Sequence, residues 1–168
     1  MRRLCRIFLI LSVLLPHALH ADALKTPPAV ADIVDIEADR LDVNTKNGTA
    51  IFKGKVKAVK PDIIVKGDTL TLVYDQKSRK VTLLTVEGDV TILWQDKDAT
   101  CSKAVYNLTN EVMVMTGNVV ITRGQERVSG QKVTLDKKND TQVVEGAGSR
   151  VKVRVNAGES KGVMQWGK

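Results

Sequence analysis

The residues of this chain that could serve as nucleophiles, acid–base groups or metal ligands are few and widely spaced. Both histidines, His17 and His20, lie near the start of the sequence. Glu37 and Asp39 could form a carboxylate pair, but acidic residues recur at similar points of a repeat and in turns, and nothing marks these two as an acid–base couple. Cys101 lies in a strand pattern without a base beside it. The residue types therefore predict no catalytic site, no metal site, no cofactor and no enzyme.

The first 23 residues have the composition of a cleavable secretory signal peptide. A basic run, Met1 to Arg6, precedes the apolar run Ile7 to Leu15, and Ala21-Asp22-Ala23 supplies an A-x-A cleavage site. The apolar run is half of the roughly 18 residues that a membrane span requires. We expect cleavage after Ala23 or Ala21, which removes both histidines and leaves Cys101 without a disulfide partner. An uncleaved anchor is the competing interpretation.

A strand unit with a central glycine recurs along the rest of the chain. In Val112 to Thr122, apolar residues share one parity and Gly117 occupies the centre of that parity. Alternation with a period of two predicts a strand with one buried face, and the glycine predicts a bend or bulge. Similar units surround Gly54, Gly88 and Gly146, so that the four glycines are 34, 29 and 29 residues apart. This spacing predicts a short array of related β units.

Polar turns separate the units, and no segment of about ten or more residues has the helical period, which predicts an all-β fold. The β domain is expected at residues 33–155, after a flexible lead at 24–32 and before a polar tail at 156–168. Such a chain must bury the apolar face of its strands against a second sheet or by closing the sheet on itself. A packed core is the simpler interpretation of this face, and a ligand groove is the alternative.

Four segments carry a resemblance to a known family. They are Ile36-Glu37-Ala38-Asp39, the Phe-x-Gly-x-Val of Phe52 to Val56, Ala104-Val105-Tyr106-Asn107-Leu108 and Met115-Thr116-Gly117-Asn118-Val119. Their order and spacing behind the signal peptide resemble the OstA-like family of periplasmic lipopolysaccharide-transport proteins, and most closely its LptA members. The resemblance covers roughly residues 33–155. It implies a β-jellyroll, an open V of two antiparallel sheets built from repeated strand units.

The resemblance also implies that the interior of this fold holds the acyl chains of lipopolysaccharide. Matched by motif, the implied lipid-binding residues are Val34, Ile36, Ile92, Tyr106 and Leu108. Parity on the buried face adds Phe52, Met113 and Met115 to this set. The outward lysines Lys53, Lys55 and Lys57 are candidates to attract the lipid A phosphates, although a charged row on a strand is typical of a solvated face.

The resemblance also implies that copies of the protein form a bridge across the periplasm and bind partners at its two ends. Copies would join edge to edge, N-terminal strand to C-terminal strand, between an LptC-like inner-membrane partner and an LptD-like outer-membrane translocon. The bridge would carry lipopolysaccharide from the inner to the outer membrane. Energy would have to come from a partner, because the sequence has no Gly-x-x-x-x-Gly-Lys-Ser/Thr phosphate loop.

Two other interpretations of the residues stay open. An LptC-like scaffold would share the fold and retain its N-terminus as a membrane anchor. A periplasmic polysaccharide binder would use the basic surface without holding lipid. Nucleic acid is not expected as a partner, because Tyr74, Trp94 and Tyr106 lie on the apolar parity instead of alternating with exposed basic residues.

Overall fold

The computed structural model describes residues 34–158 and Gly162, and these residues form ten β-strands. The predicted signal peptide and flexible lead, at residues 1–32, lie outside the described residues, as does most of the tail at 156–168. Within the described part, no helix is long and apolar enough to cross a membrane. The all-β prediction is confirmed for this part of the chain.

The strands form one antiparallel sheet with short strands at both edges. Their bounds are β1 Asp35–Glu37, β2 Arg40–Asn44, β3 Thr49–Lys60, β4 Ile63–Tyr74, β5 Val81–Trp94, β6 Lys97–Asn107, β7 Val112–Arg123, β8 Glu126–Asp136, β9 Thr141–Glu145 and β10 Lys152–Arg154. The spatial order is β1-β3-β4-β5-β6-β7-β8-β10, with β2 also on β3 and β9 also on β8. Each edge therefore consists of two short strands that pair with the two halves of one long strand.

Every pairing between two long strands is interrupted near the centre by a shift of register. In β7 and β8, for example, the shift lies between Thr116 and Val119. Gly117 has a φ of 82°, and Gly54 and Gly88 have φ of 80° in the equivalent places of β3 and β5. A residue with a Cβ atom is strained in this left-handed region, so glycine is the residue that fits. The predicted bend is therefore confirmed as a β-bulge at these three glycines, whereas Gly146, the fourth, lies beyond the end of β9 and outside any strand.

The line of bulges divides the sheet into two layers. A flat sheet leaves both faces accessible, yet Met115, Val119 and Ile121, on both sides of the β7 bulge, are at most 1 % exposed. All three belong to one cluster of buried side chains. The sheet therefore folds over at the bulges, and the two halves of each long strand face one another. We call the half that ends in β1 and β10 the first layer, and the half that ends in β2 and β9 the second layer.

A side chain from β4, from β6 or from the connection between β1 and β2 occupies the space beside each of these three bulge glycines. A Cβ atom added at Gly54, Gly88 or Gly117 would collide with the side chain of Asp39, Asp68 or Ser102, respectively. The recurrence of Asp39 and its counterparts is therefore explained by close packing at the bulges. Glu37 instead lies near Lys57, with 3.9 Å between Oε2 and Nζ. Glu37 and Asp39 therefore contact different residues: Asp39 packs against the Gly54 bulge, and Glu37 lies near a lysine.

Candidate functional site

Side chains on the inner face form apolar rows that cross the sheet from one edge to the other. The residues of a row lie directly opposite one another in adjacent strands, where cross-strand side chains interact. The first-layer row consists of Ile36, Ala58, Val65, Ile92, Ala99, Ile121, Val128 and Val153. It is apolar along its whole length, from β1 to β10.

The second layer contributes two further rows. The central row, nearest the bulges, consists of Leu41, Phe52, Leu70, Val86, Ala104, Met115, Val133 and Val144. The outer row consists of Val43, Ala50, Leu72, Leu84, Tyr106, Met113, Leu135 and Gln142. Only the last member of the outer row is polar, so these three rows together form an almost unbroken apolar surface.

These rows are closed in the middle of the sheet and open at both edges. Ile92 is 3 % exposed and Met115 is 0 % exposed. At the edges, Leu41 is 52 % exposed and Val153 is 54 % exposed. Within the described residues, no strand pairs with the outer side of β1, β2, β9 or β10. The apolar interior is therefore accessible at both edges of the sheet.

The eight residues predicted to bind lipid lie in or beside this interior, in three environments. Ile92 and Met115 are buried, and Ile36, Phe52 and Met113 are half-buried against the core. Tyr106 is half-buried in the outer row, and Val34 and Leu108 are exposed just beyond the ends of β1 and β6. The structure thus brings most of the set to the inner face, but it divides the set into buried and accessible members.

Two buried charged residues, Lys97 and Glu126, were not singled out from the sequence. They are 5 % and 3 % exposed, and Nζ of Lys97 lies 4.9 Å from the centroid of the Trp94 ring. Burial, and to a lesser degree the charge of Arg123, lowers the pKa of Lys97. The sequence places Lys97 in a turn. Its position opposite the inward-facing Trp94 in β5 is the signal that identifies it as an inner-face cation.

Gln142 is a third polar residue of the interior that the sequence did not indicate. Its Nε2 and Oε1 atoms are buried and have no hydrogen-bond partner within the described part of the chain. An amide left in this state is costly, so a partner for it would be favourable. Gln142 ends the outer row in β9, at the C-terminal edge of the sheet.

The outer face carries mixed charges instead of a continuous basic row. Lys53 Nζ lies 3.2 Å from Asp42 Oδ2, and Lys57 is next to Glu37. Lys55 has a φ of 47° within the β3 bulge. This alternation of signs is typical of a solvated surface, where such ion pairs contribute little to stability.

Cys101 is buried in β6 and does not have the environment of a nucleophile. Burial raises the pKa of its thiol to about 11, so the thiol is protonated at neutral pH. In the described residues, no three His, Cys, Asp or Glu side chains are grouped to hold a metal ion. What the site offers is an apolar cavity wall with open ends.

The chain is similar to known proteins in sequence and in fold. A family model described as LptA/(LptD N-terminal domain) LPS transport protein matches residues 35–141. An uncharacterized protein of Rhizobium meliloti is 24% identical over 131 residues, which cover 73% of this chain and 70% of that protein. LptH of Pseudomonas aeruginosa, whose structure is described as the LptA homologous periplasmic component of the conserved lipopolysaccharide transport device, matches with a TM-score of 0.65 and 17% identity. The match covers 74% of this chain and 96% of LptH, and it confirms the predicted open antiparallel β-jellyroll.

Proposed function

Because this chain belongs to the LptA/(LptD N-terminal domain) family of LPS transport proteins, we propose that it is a periplasmic bridge protein that carries lipopolysaccharide from the inner to the outer membrane. The observation that supports this most directly is the apolar interior that stays continuous from one edge of the sheet to the other. A periplasmic location agrees with the description of LptH, which has the same fold.

In this proposal the acyl chains lie on the inner face of the folded sheet. Relative to exposure to water, burial of each CH₂ group is worth about 0.8 kcal/mol, so the groove would spare several acyl chains a large free-energy cost while the lipid crosses the aqueous periplasm. Ile36, Phe52, Met113 and Tyr106 are accessible enough to contact lipid in the conformation described, and Val34 and Leu108 extend this surface. Ile92 and Met115 would contact lipid after the two layers move apart.

The bridge is built by joining copies at the open edges. Unpaired strand edges are ready to add another strand by backbone hydrogen bonding. Joining the C-terminal edge of one copy to the N-terminal edge of the next continues the apolar rows from copy to copy. An LptC-like inner-membrane partner and an LptD-like outer-membrane translocon would take the terminal edges. The protein would act without a chemical step, and so would not be an enzyme.

The proposal is tested by placing a photo-crosslinking amino acid at Ile36, Phe52 or Tyr106, one position per variant. We expect each variant to form an adduct with lipopolysaccharide on irradiation. The matched control is Lys103, three residues before Tyr106 on the exposed outer face of β6, where no adduct is expected.

The same variants are irradiated with the deacylated oligosaccharide of lipopolysaccharide. Because the proposed contact is with acyl chains, we expect no adduct in this arm. Equal capture of the deacylated sugar would favour the polysaccharide binder instead. Adducts at Lys103 but at none of the inner positions would contradict the proposed interior site.

A further inference from the structure

We propose that two copies of this chain join in one register, set by an acidic strand at the N-terminal edge and a basic strand at the C-terminal edge. The proposal rests on the edge-to-edge joining proposed above, and it adds which residues meet and why the join has a direction.

The N-terminal edge strand presents two carboxylates on its outer face. β1 is the tripeptide Asp35-Ile36-Glu37, in which Ile36 points to the core and both acidic residues are exposed. Asp35 has no ion-pair partner within the described residues. Glu37 has only the long contact to Lys57, and its side chain is 76 % exposed. Both carboxylates are therefore available to a cation from another molecule.

The C-terminal edge strand presents the opposite charges in the same arrangement. β10 is Lys152-Val153-Arg154, and all three residues are exposed. Arg154 lies directly opposite Arg127 of β8, an arrangement of like charges that destabilises a sheet. Within residues 34–158, no carboxylate forms an ion pair with Arg127, Lys152 or Arg154. The two arginines line a shallow cavity of about 510 Å³ together with the buried Glu126, and its volume leaves room for a second carboxylate beside the arginines.

The direction of the strands permits these edges to pair. Every neighbouring pair in the order from β1 to β10 is antiparallel, so β10 runs opposite to β1. β10 of one copy can thus form an antiparallel pair with β1 of the next copy. Both strands lie in the first layer and end the same apolar row, at Val153 and Ile36.

One register satisfies the apolar row and the charges together. Placing Val153 opposite Ile36 of the next copy continues the first-layer row across the join. The same register places Lys152 opposite Glu37 and Arg154 opposite Asp35. Asp35 then supplies the carboxylate that the Arg127 and Arg154 pair lacks. Two opposite-charge pairs therefore flank one apolar contact.

Other pairings lose part of this match. Two copies of β1 would place acidic residues against acidic residues, and two copies of β10 would place basic residues against basic residues. A shift that sets Val155 opposite Ile36 places Asn156 against Asp35. A shift to Val151 retains two charge pairs, with Lys152 and Arg150, but leaves Arg154 beside Arg127 without a carboxylate. The charges thus favour head-to-tail joining in a single register.

The register is tested by disulfide trapping with the full chain in a background in which both native cysteines, Cys5 and Cys101, are replaced by serine. One protein carries Ile36→Cys, and its partner carries Val153→Cys, Val151→Cys or Val155→Cys. We expect the Ile36→Cys and Val153→Cys mixture to form the disulfide-linked heterodimer at least about tenfold faster than the two shifted mixtures under mild oxidation. A faster heterodimer with Val151→Cys or Val155→Cys would overturn the register while leaving edge joining intact. If no mixture cross-links and the wild-type chain stays monomeric at all concentrations, edge joining itself fails.

The contribution of charge is tested by reversing it on one edge at a time. Asp35→Lys with Glu37→Lys, and separately Lys152→Glu with Arg154→Glu, should each weaken self-association at least about tenfold in sedimentation velocity at low salt. An equimolar mixture of the two variants should associate again, because each altered edge then meets an edge of opposite charge. Association of either variant alone at the wild-type level, or no recovery in the mixture, would overturn the proposal. All four charge reversals are at exposed side chains and leave the core intact, and circular dichroism checks the fold of each variant.

Discussion

In the middle of the sheet the inner-face rows form a closed core, whereas at the two edges the same rows end in exposed side chains. Val128 and Val153 illustrate the difference, because they are neighbours in the first-layer row, opposite each other in β8 and β10. Val128 is 1 % exposed, and Val153 is among the most exposed apolar residues. The alternation of residues is the same in both places, so the presence of a further strand decides whether a row is buried core or exposed surface.

The outer faces of the two regions differ as well. In the middle, charges are paired across strands, as between Lys103 and Glu87, whose Nζ and Oε1 atoms are 2.9 Å apart. At the edges, β1 is acidic and β10 is basic, and each lacks most of its partners within the described residues. Within the described residues, charges are therefore balanced in the centre of the sheet and opposite in sign at β1 and β10, which is the pattern that the proposed joining of copies requires.

The largest expected effect is a difference in stability between two valine-to-alanine variants, one in the middle of the first-layer row and one at its edge. Val128→Ala should reduce the free energy of unfolding by about 2–3 kcal/mol, because it removes buried apolar groups and leaves a cavity. Val153→Ala should change it by less than about 0.5 kcal/mol, as is usual for exposed sites. Urea unfolding at low protein concentration measures both. Similar losses at the two positions would mean that the C-terminal edge is covered.

A smaller effect is expected at the bulges that fold the sheet. Gly88→Ala should destabilise the chain by about 1–2 kcal/mol more than Gly124→Ala, because the new methyl group meets the Asp68 side chain. Gly124 is the matched control, since it also has a positive φ but has open space around it. Thermal unfolding of the two variants provides the comparison.

The cause of that difference is tested by adding Asp68→Ala to Gly88→Ala. Removing the carboxylate should recover part of the lost stability, since the two residues share one space. If Gly88→Ala and Gly124→Ala lose equal stability, the cost is backbone strain alone and the packing of Asp68 on the bulge has no energetic weight.

The rows and the bulges could be predicted from the sequence because both are local features. Alternation with period two identifies Val119 and Ile121 as inward-facing. Gly117 stands at a position of the same parity but has no side chain, and this marks the bulge. The role of Asp39 could not be predicted, because its partner Gly54 lies in another strand. Local pattern therefore predicts which face a residue occupies, but not what it meets there.

The degree of burial along a row could not be predicted for the same reason. Ile92 and Ile36 have the same residue type and face the same interior, yet the first is enclosed by strands on both sides and the second lies at an edge. The prediction of lipid contact did not distinguish them. Lys97 was also missed, because a lysine beside a turn is ordinarily solvated, and only the sheet register places it opposite Trp94.

The smallest effect concerns Cys101, and it tests whether the middle of the sheet is closed to water. Burial raises the pKa of the thiol from 9.0 to about 11. The unfolded chain releases this proton near pH 9, while the folded chain retains it, so the stabilisation is complete below pH 9 and is lost as the pH rises toward 11. Between pH 8 and pH 10, wild type should lose about 1 kcal/mol more unfolding free energy than Cys101→Ala, at about 1.4 kcal/mol per pKa unit.

Comparison with Cys101→Ala isolates the thiol, because every other ionisable group is common to both proteins. A cysteine at the open edge, Val153→Cys in the Cys101→Ala background, should show no such extra loss of unfolding free energy with pH, since its thiol is solvated in the folded and unfolded chain alike. If wild type and Cys101→Ala lose the same unfolding free energy between pH 8 and pH 10, water reaches the thiol in the native state. The interior would then be accessible along its whole length, and Ile92 and Met115 would join the residues that lipid can contact without any movement of the layers.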